Sequence, residues 1–420
     1  METLDAKSQL SSDFRQDDVV FPSREICDIL IHHAGAATSW YHFATHRPTL
    51  TTEHHQFWEE CRTVQDRAHY ESSWLALYFS TLASVMHFKG DAIPIDGFTQ
   101  ERPYMWWLQH WIDAAMFFLG KAQYILHPDI RTVQSIVILR DVFPVVGKPT
   151  LLSTLWPVAI SIAQRLKLND ESELESRMAL DAEICRRLWW SLVIGDWLGT
   201  CGPHHNPCIR ARDTNVKMPS LQDDYELAGC QHPNRTEEYP RACSISLCSS
   251  NVQNWHIIST RCSIREHGRS LMRLHLSFGL TRSLQNSSPY LQSDGDLSSL
   301  PASEVAWIIQ QRNDLCKTML GIRVCLNSVL GYLGMSQCFD WIRARTISIA
   351  SSRTIVKLAL DGPDGNITYW CNLVTVFAAC VCLITQSCDY RDTDEARQDR
   401  ELVRDACDVL SSIENENRLG

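Results

Sequence analysis

The chain has 420 residues, of which 45% are hydrophobic and 21% are charged. This composition is typical of folded globular proteins and excludes a wholly disordered chain. The formal net charge of −10 argues against nucleic-acid binding through the overall electrostatic field of the protein. A local basic patch can still occur on a chain with this net charge.

The cysteines and the longest apolar run bear on the compartment. Seventeen cysteines are scattered along the chain, and its first residues, "METLDAKSQLSSDFRQDD", contain no apolar signal core. We therefore expect buried thiols in a reducing compartment. The longest apolar run, "NLVTVFAACVCLI" at 372–384, is too short to span a bilayer and predicts a core helix. No run of four or more Lys or Arg marks a nuclear import signal.

Helical periodicity dominates the chain, because apolar residues recur at intervals of three and four. The predicted helices cover residues 72–88, 104–126, 132–143, 150–168, 181–200, 304–333, 340–360, 372–384 and 395–413. Pro157 is expected to kink its helix or to lie in the first turn. Alternating strand patterns bounded by hairpin turns are scarce. The predicted fold class is all-α, a large helical bundle.

Two irregular stretches suggest how the chain is organised. We expect a flexible N-terminus at 1–20, an N-terminal helical half at 21–220 and a C-terminal helical half at 304–420. The segment between them, 221–303, combines an irregular stretch, a candidate basic helix and a Ser-rich connection. A single helical array interrupted by loops fits the same pattern.

Four stretches carry a resemblance to a known family. In order they are "TVQSIVILRDVF", "AISIAQRLKLND", "EICRRLWWSLVIGD" and "CIRARDTNVKMP". This order resembles the fungal-specific transcription factor domain, the middle homology region that follows the zinc binuclear cluster in fungal regulators. The family positions are filled here by Arg186, Arg187, Leu188, Trp189, Trp190, Asp196, Ile209, Asp213, Val216 and Pro219. The resemblance is specific across 131–219, and it implies an all-α regulatory domain.

The resemblance extends more weakly along most of the chain from Phe21. Residues 21–50 are similar to the family's opening helix, which ends in a histidine-proline turn. The family's DNA reader requires six closely spaced cysteines, whereas only Cys27 and Cys61 precede residue 185. The resemblance therefore implies a regulator without its own zinc-cluster module, for which we expect no direct nucleic-acid binding. A second hypothesis is an incomplete version of a longer regulator.

The octapeptide "CGPHHNPC" at 201–208 contains four candidate metal ligands, Cys201, His204, His205 and Cys208. Four ligands from so short a segment would be strained, because structural zinc sites take paired ligands from separated half-sites. The resemblance places the segment at the turn after the double-tryptophan helix, where the family has Gly-Arg-Pro. We therefore favour a turn over a metal site.

Two arginine-rich segments each allow a binding role and a purely structural role. The "RRLWW" helix could present a cation–π or anion-binding surface, but we favour inward packing of Leu188, Trp189, Leu192 and Val193, with the arginines holding nearby carboxylates. A second pattern repeats every fourth residue at Arg261, Arg265, Arg269 and Arg273. It fits a phosphate-binding strip, although we favour a solvated helix face because the chain is acidic.

An enzyme is the competing class. The carboxylates of "DDYE", at Asp223, Asp224 and Glu226, are similar to the aspartate-rich magnesium site of all-α prenyl-transfer and cyclisation enzymes. The segment is irregular, however, and no second metal-binding motif follows it. P-loop, dinucleotide, G-x-S-x-G and H-E-x-x-H motifs are absent from the sequence. We assign no catalytic, cofactor-binding or metal-binding residue and no cofactor.

The resemblance implies a nuclear, non-enzymatic transcription regulator of a specific set of fungal genes, such as a metabolic or secondary-metabolite pathway. It would act as a homodimer, or as a heterodimer with a DNA-binding regulator, and through coactivators. A small-molecule effector between helices is compatible with this interpretation, and a membrane partner is not expected.

Overall fold

The computed structural model describes residues 14–34, 42–89, 102–199, 207–210, 213–220, 222, 224–229, 305, 309, 312–314, 316–324, 339–360, 370–389 and 393–419. Throughout these ranges the regular secondary structure is helical, which confirms the all-α prediction. The helices are α1 (Arg24–His33), α2 (Arg47–Glu60), α3 (Val64–Ala68), α4 (Ser72–Lys89), α5 (Tyr104–Lys121), α6 (Ile130–Leu139), α7 (Val142–Val145), α8 (Pro149–Arg165), α9 (Glu171–Glu175), α10 (Ala179–Gly199), α11 (Asp224–Leu227), α12 (Phe339–Leu360), α13 (Trp370–Asp389) and α14 (Asp394–Leu419).

The chain divides into two compact units. The first comprises residues 1–193 and 213–234, and the second comprises residues 194–212 and 235–419. None of the helices within the described ranges is long and apolar enough to cross a membrane.

Helix α4 is the centre of the first unit. Its residues from Trp74 to Met86 are buried on every side, as expected for a helix that is apolar all round. It packs against α1, α5 and α6. Trp74 and Tyr78 stack with ring centroids 4.7 Å apart, which adds to the apolar burial.

Helix boundaries follow local signals in the sequence. Ser23 accepts a hydrogen bond from Ile26 N at the start of α1, and Asp129 accepts one from Arg131 N at the start of α6. Such side-chain caps satisfy amide groups that have no partner inside the helix. The predicted helix at 104–126 ends earlier, at Lys121, and Gln123 follows with a positive φ of 50°.

Two prolines lie within helices. Pro48 is in the first turn of α2, so residues 21–50 contain α1 and the start of a second helix instead of a single helix. A proline suits that position because the first-turn amide has no helical acceptor. Pro157 lies inside α8 on its exposed side, where water can reach the carbonyl that loses its hydrogen bond.

The second unit has a core of its own between α12, α13 and α14. Ile355 and Val356 of α12 pack there with Leu383 of α13 and Ala406 of α14. Helical residues 316–324 join this core, and Gly321 allows their close approach to α13, because a Cβ atom at this position would lie 2.8 Å from Thr375 Cγ2.

The prediction of a core helix at 372–384 is correct for one face of α13 only. Val376, Ala379 and Leu383 are buried, whereas Phe377 on another face is 65% exposed. The apolar character of this helix therefore exceeds what its own core requires.

Candidate functional site

The double tryptophan of α10 fixes the segment that follows it in the family pattern. Trp189 and Trp190 are fully buried. Trp189 Nε1 donates to Thr214 Oγ1 at 2.8 Å, and Trp190 Nε1 donates to the Lys217 carbonyl at 2.9 Å. Buried indole groups need such acceptors, so both tryptophans fill the core and hold the 213–220 segment against α10.

Inward packing of the "RRLWW" helix is confirmed. Leu188, Trp189, Leu192 and Val193 have no exposed surface. The interpretation as a cation–π surface is not supported, because both arginines contact carboxylates.

Replacing Trp190 with phenylalanine is expected to lower the free energy of unfolding by about 1–3 kcal/mol, since the Lys217 carbonyl loses its buried donor. Urea unfolding of the purified chain measures this change. Trp156 is a matched control, because it is buried and its Nε1 has no hydrogen-bond partner in the structure. Trp156→Phe should cost less than Trp190→Phe, and an equal or larger cost would contradict the role given to the indole hydrogen bond.

Arg186 holds α9 against α10. Its Nη2 donates to Glu171 Oε1 at 2.6 Å, and its Nε lies 3.1 and 3.2 Å from the two carboxylate oxygens. Glu171 also accepts from Lys217 N at 2.9 Å. Burial alone would raise the pKa of Glu171, but the hydrogen bonds from Arg186 and Lys217 N outweigh it, so that this pKa lies below its usual value.

Arg187 bonds three different acceptors. Its Nε donates to Glu183 Oε1 at 3.2 Å, its Nη1 to Asp224 Oδ1 at 2.7 Å and its Nη2 to the Gln222 carbonyl at 2.5 Å. Glu183 also accepts from Ser220 N at 2.8 Å. Because the guanidinium is 9% exposed, these contacts form a buried charge network.

Asp224 connects this network to the start of α2. Its Oδ2 accepts from Arg47 N at 2.7 Å, and its carbonyl lies 2.8 Å from His46 Nε2. The carboxylate that suggested a magnesium site is therefore engaged by an arginine and a backbone amide. Glu226 lies on the same short helix, α11, and Asp223 lies outside the described residues.

Asp196 fixes the chain after the octapeptide. Its two oxygens accept from Cys208 N at 3.2 Å and from Ile209 N at 2.8 Å, and Ile209 is fully buried. Partial burial of the Cys208 thiol and the charge of the nearby Asp196 carboxylate raise the pKa of this thiol. Cys201, His204 and His205 lie outside the described residues, as do Arg261, Arg265, Arg269 and Arg273.

A cleft of about 520 Å³ opens in the first unit between α2, α6 and α10. Arg131 lies on one wall and pairs with Glu53 at 2.9 Å and with Glu71. Arg177 lies on another and donates to Cys185 Sγ at 3.2 Å. The volume suits a small molecule, and the charged walls suit a polar one. No feature of the sequence predicted this cleft, because its walls come from distant segments.

Comparison with known families assigns the chain to one of them. Residues 39–268, more than half of the chain, match the profile of the fungal specific transcription factor domain. The chain belongs to this family. The matched range of the fungal transcription factor domain contains all ten family positions, each of which lies in a described part of the chain.

Individual relatives agree with this assignment. The agnestins biosynthesis cluster transcription factor AgnL11 of Paecilomyces divaricatus is 22% identical over 223 residues, 50% of this chain and 31% of that protein. The transcriptional regulator AacuB of Aspergillus aculeatus is 50% identical over 79 residues, 19% of this chain and 11% of that protein. The chain therefore spans about a third of the length of these relatives or less.

A solved structure supports the fold. A chain in the solved structure of the K. lactis CBF3 core matches with a TM-score of 0.57 and 14% identity, over 96% of this chain and 81% of that one. At this identity the match shows a shared helical fold. The domain family and the relatives give the prenyl-transfer alternative no support.

The residues that hold the domain together were only partly predictable. The spacing of Glu183 and Arg187, four residues apart on one helix, is a recognisable pairing signal. Glu171, Gln222 and Asp224 had no such signal, because they contact the helix from segments 15 to 37 residues away along the chain.

Proposed function

We propose that this protein regulates transcription of a defined set of fungal genes through protein–protein contacts. The single observation that carries the proposal is the family match over residues 39–268. The relatives' names support it, since they are transcription factors and regulators rather than enzymes. One of them is named for a biosynthesis cluster, which supports a secondary-metabolite pathway as the target, and a nuclear location follows from the same proposal.

Deleting the gene in the source fungus tests the proposal. A narrow group of co-regulated transcripts should change together, and reintroducing the wild-type chain should restore them. Altered metabolites with an unaltered transcript profile would contradict the proposal and favour an enzyme.

The partner that we propose first is a second copy of the chain, bound through the α13 stripe. We define this stripe as Val374, Phe377, Val381 and Ile384, which are 41–65% exposed. The residues are separated by three, four and three positions, and exposed Cys388 extends the series by four more. Alternating intervals of three and four residues are the spacing by which two helices pack along a common seam.

The charge pattern of α13 favours a copy of itself. Its sequence, "WCNLVTVFAACVCLITQSCD", contains no charged residue before Asp389. Two copies can therefore approach along the stripe without opposing like charges. A contiguous exposed apolar surface of this kind usually marks an interaction site, and Phe377 is the aromatic residue expected to dominate it.

Phe377→Glu tests this interface. Light scattering coupled to size exclusion should give a dimer for the wild-type chain and a monomer for the variant, because the glutamate would be buried without a partner. The melting temperature of the Phe377→Glu variant should stay close to that of the wild-type chain, since Phe377 lies outside the core.

Met178→Glu is the matched control, because Met178 is an exposed apolar residue of the first unit with 76% exposure. This variant should remain dimeric. A monomeric wild-type chain would contradict the proposal. If, in addition, Phe377→Glu lowered the melting temperature of that monomer, another segment of the same chain would cover the stripe.

A small-molecule effector belongs in the cleft between α2, α6 and α10. Ile184 is part of its lining, and Ile184→Trp should reduce the free volume. In a reporter strain the variant should hold transcription at one level while the wild-type chain responds to pathway metabolites. An unchanged response would place the effector elsewhere.

A further inference from the structure

We propose that α1 and α2 carry a binding site for a divalent transition metal of the zinc type, formed by Asp28, His54 and His55. Each residue offers one ligand atom, and these atoms all lie within 4.8 Å of one another. The site is independent of the proposed regulatory function and of the octapeptide that contains Cys201 and Cys208.

The site is closed on one side and open on the other. Asp28 comes from α1, and its Oδ1 lies 2.7 Å from Nε2 of His54 on α2. His54 is buried, with 1% of its side chain exposed, whereas 43% of the Asp28 side chain is exposed, and His55 is exposed. An ion can therefore enter from solvent, and water can complete its coordination.

The donor set selects the class of metal. Two imidazole nitrogens and one carboxylate oxygen are typical ligands of zinc, and they also suit nickel and copper ions. Magnesium and calcium prefer sites built from oxygen ligands. Three protein ligands leave at least one position for water, so the geometry is that of an open site rather than a closed structural one.

The surroundings of His54 supply the hydrogen bond that a metal-bound histidine needs. In the neutral ring, Nε2–H donates to Asp28, and Nδ1, 3.2 Å from the Tyr78 hydroxyl, accepts from it. Metal binding requires the lone pair of Nε2, so the ring proton would move to Nδ1 and would then be donated to the Tyr78 oxygen.

Tyr78 can accept this change because it has a second partner. Trp58 Nε1 already donates to the Tyr78 oxygen at 3.2 Å, and the Cys27 thiol lies within hydrogen-bonding reach of the hydroxyl. The Tyr78 O–H can therefore turn to Cys27 when His54 donates to it. The number of protons is unchanged, and Asp28 stays a carboxylate. Outer partners of this kind orient a metal-bound imidazole.

His55 distinguishes a metal site from a purely structural Asp28–His54 hydrogen bond. A structural pair has no need of His55, which lies at the surface. Removing His55 therefore takes away a metal ligand while the hydrogen bonds of His54 and Tyr78 remain.

The test is zinc binding by the full-length chain, measured by titration calorimetry and by competition with a chromophoric chelator. The Cys201→Ser, Cys208→Ser double variant is the background, because those cysteines are the other candidate zinc ligands that the sequence offers. One equivalent should bind, and the melting temperature should rise with added zinc. His55→Ala should raise the Kd by at least about tenfold and reduce this rise, and a titration with magnesium should give no binding.

His127→Ala is the matched control, since His127 is an exposed histidine of the same unit, and its Kd should equal that of the background. Cobalt substitution gives a second readout, because the visible bands of the bound ion should change in Asp28→Asn. Equal Kd values for His55→Ala and His127→Ala would overturn the proposal, as would zinc binding that disappears with the two cysteines.

Discussion

Replacing Arg187 with leucine is expected to lower the free energy of unfolding by about 3–5 kcal/mol. The guanidinium bonds Glu183, Asp224 and the Gln222 carbonyl. Its removal leaves the buried Glu183 carboxylate with Arg186 alone, at 3.6 Å, and takes this counter-charge away from Asp224. A buried charge without its partner costs more than the intact pair contributes.

Urea unfolding followed by tryptophan fluorescence measures the loss. Arg62→Leu is the matched control, because Arg62 is exposed, and it should change stability by less than about 0.5 kcal/mol. Arg187→Lys should recover only part of the loss, since an ammonium group lacks the planar fork that reaches three acceptors. A loss for Arg187→Leu no larger than that for Arg62→Leu would contradict the central role of this network.

Lowering the pH from 7 to 5 is expected to destabilise the first unit by about 2 kcal/mol for each of two buried histidines. Burial lowers the pKa of His42 to about 3, and the charge of Arg140 adds to this effect. Burial likewise lowers the pKa of His110 to about 4, with a further contribution from Arg102.

The hydrogen bonds give the same direction. His42 Nδ1 accepts from Ala44 N at 3.1 Å, and His110 Nε2 accepts from Val20 N at 2.9 Å. If either nitrogen were protonated, its N–H group would face the backbone N–H group that now donates to it, and this hydrogen bond would be lost. In the unfolded chain both histidines titrate near pH 6.5, so the unfolded state binds protons first as the pH falls. Stability is therefore complete above about pH 6.5 and is lost progressively toward pH 4 and below.

Unfolding free energies at pH 7, 6 and 5 test this prediction. His110→Gln places an amide oxygen near the position of Nε2 and His42→Asn places one near Nδ1, so each variant keeps an acceptor that does not titrate. Each should remove about 2 kcal/mol of the loss between pH 7 and 5, and buried His54, whose pKa burial also lowers, accounts for a remainder. A loss in the double variant as large as that of the wild-type chain would show that other groups cause the pH dependence.

The sequence determined the features that depend on neighbouring residues. Helical periodicity predicted α4, α10 and α12 nearly to their ends, because the spacing of apolar side chains reflects the helical repeat itself. It also predicted the burial of Trp189 and the capture of carboxylates by the two arginines. The order of motifs around the double tryptophan was sufficient to indicate the family.

The tertiary structure decided which distant groups meet. Asp224 looked like a magnesium ligand in the sequence, and its bond to Arg187, 37 residues away, makes it part of the architecture instead. Asp28 and His54 belong to separate helices, so their pairing had no signal along the chain. The apolar run of α13 predicted a core helix, yet one face remains exposed, because helical periodicity identifies apolar faces but only packing selects the one that enters the core.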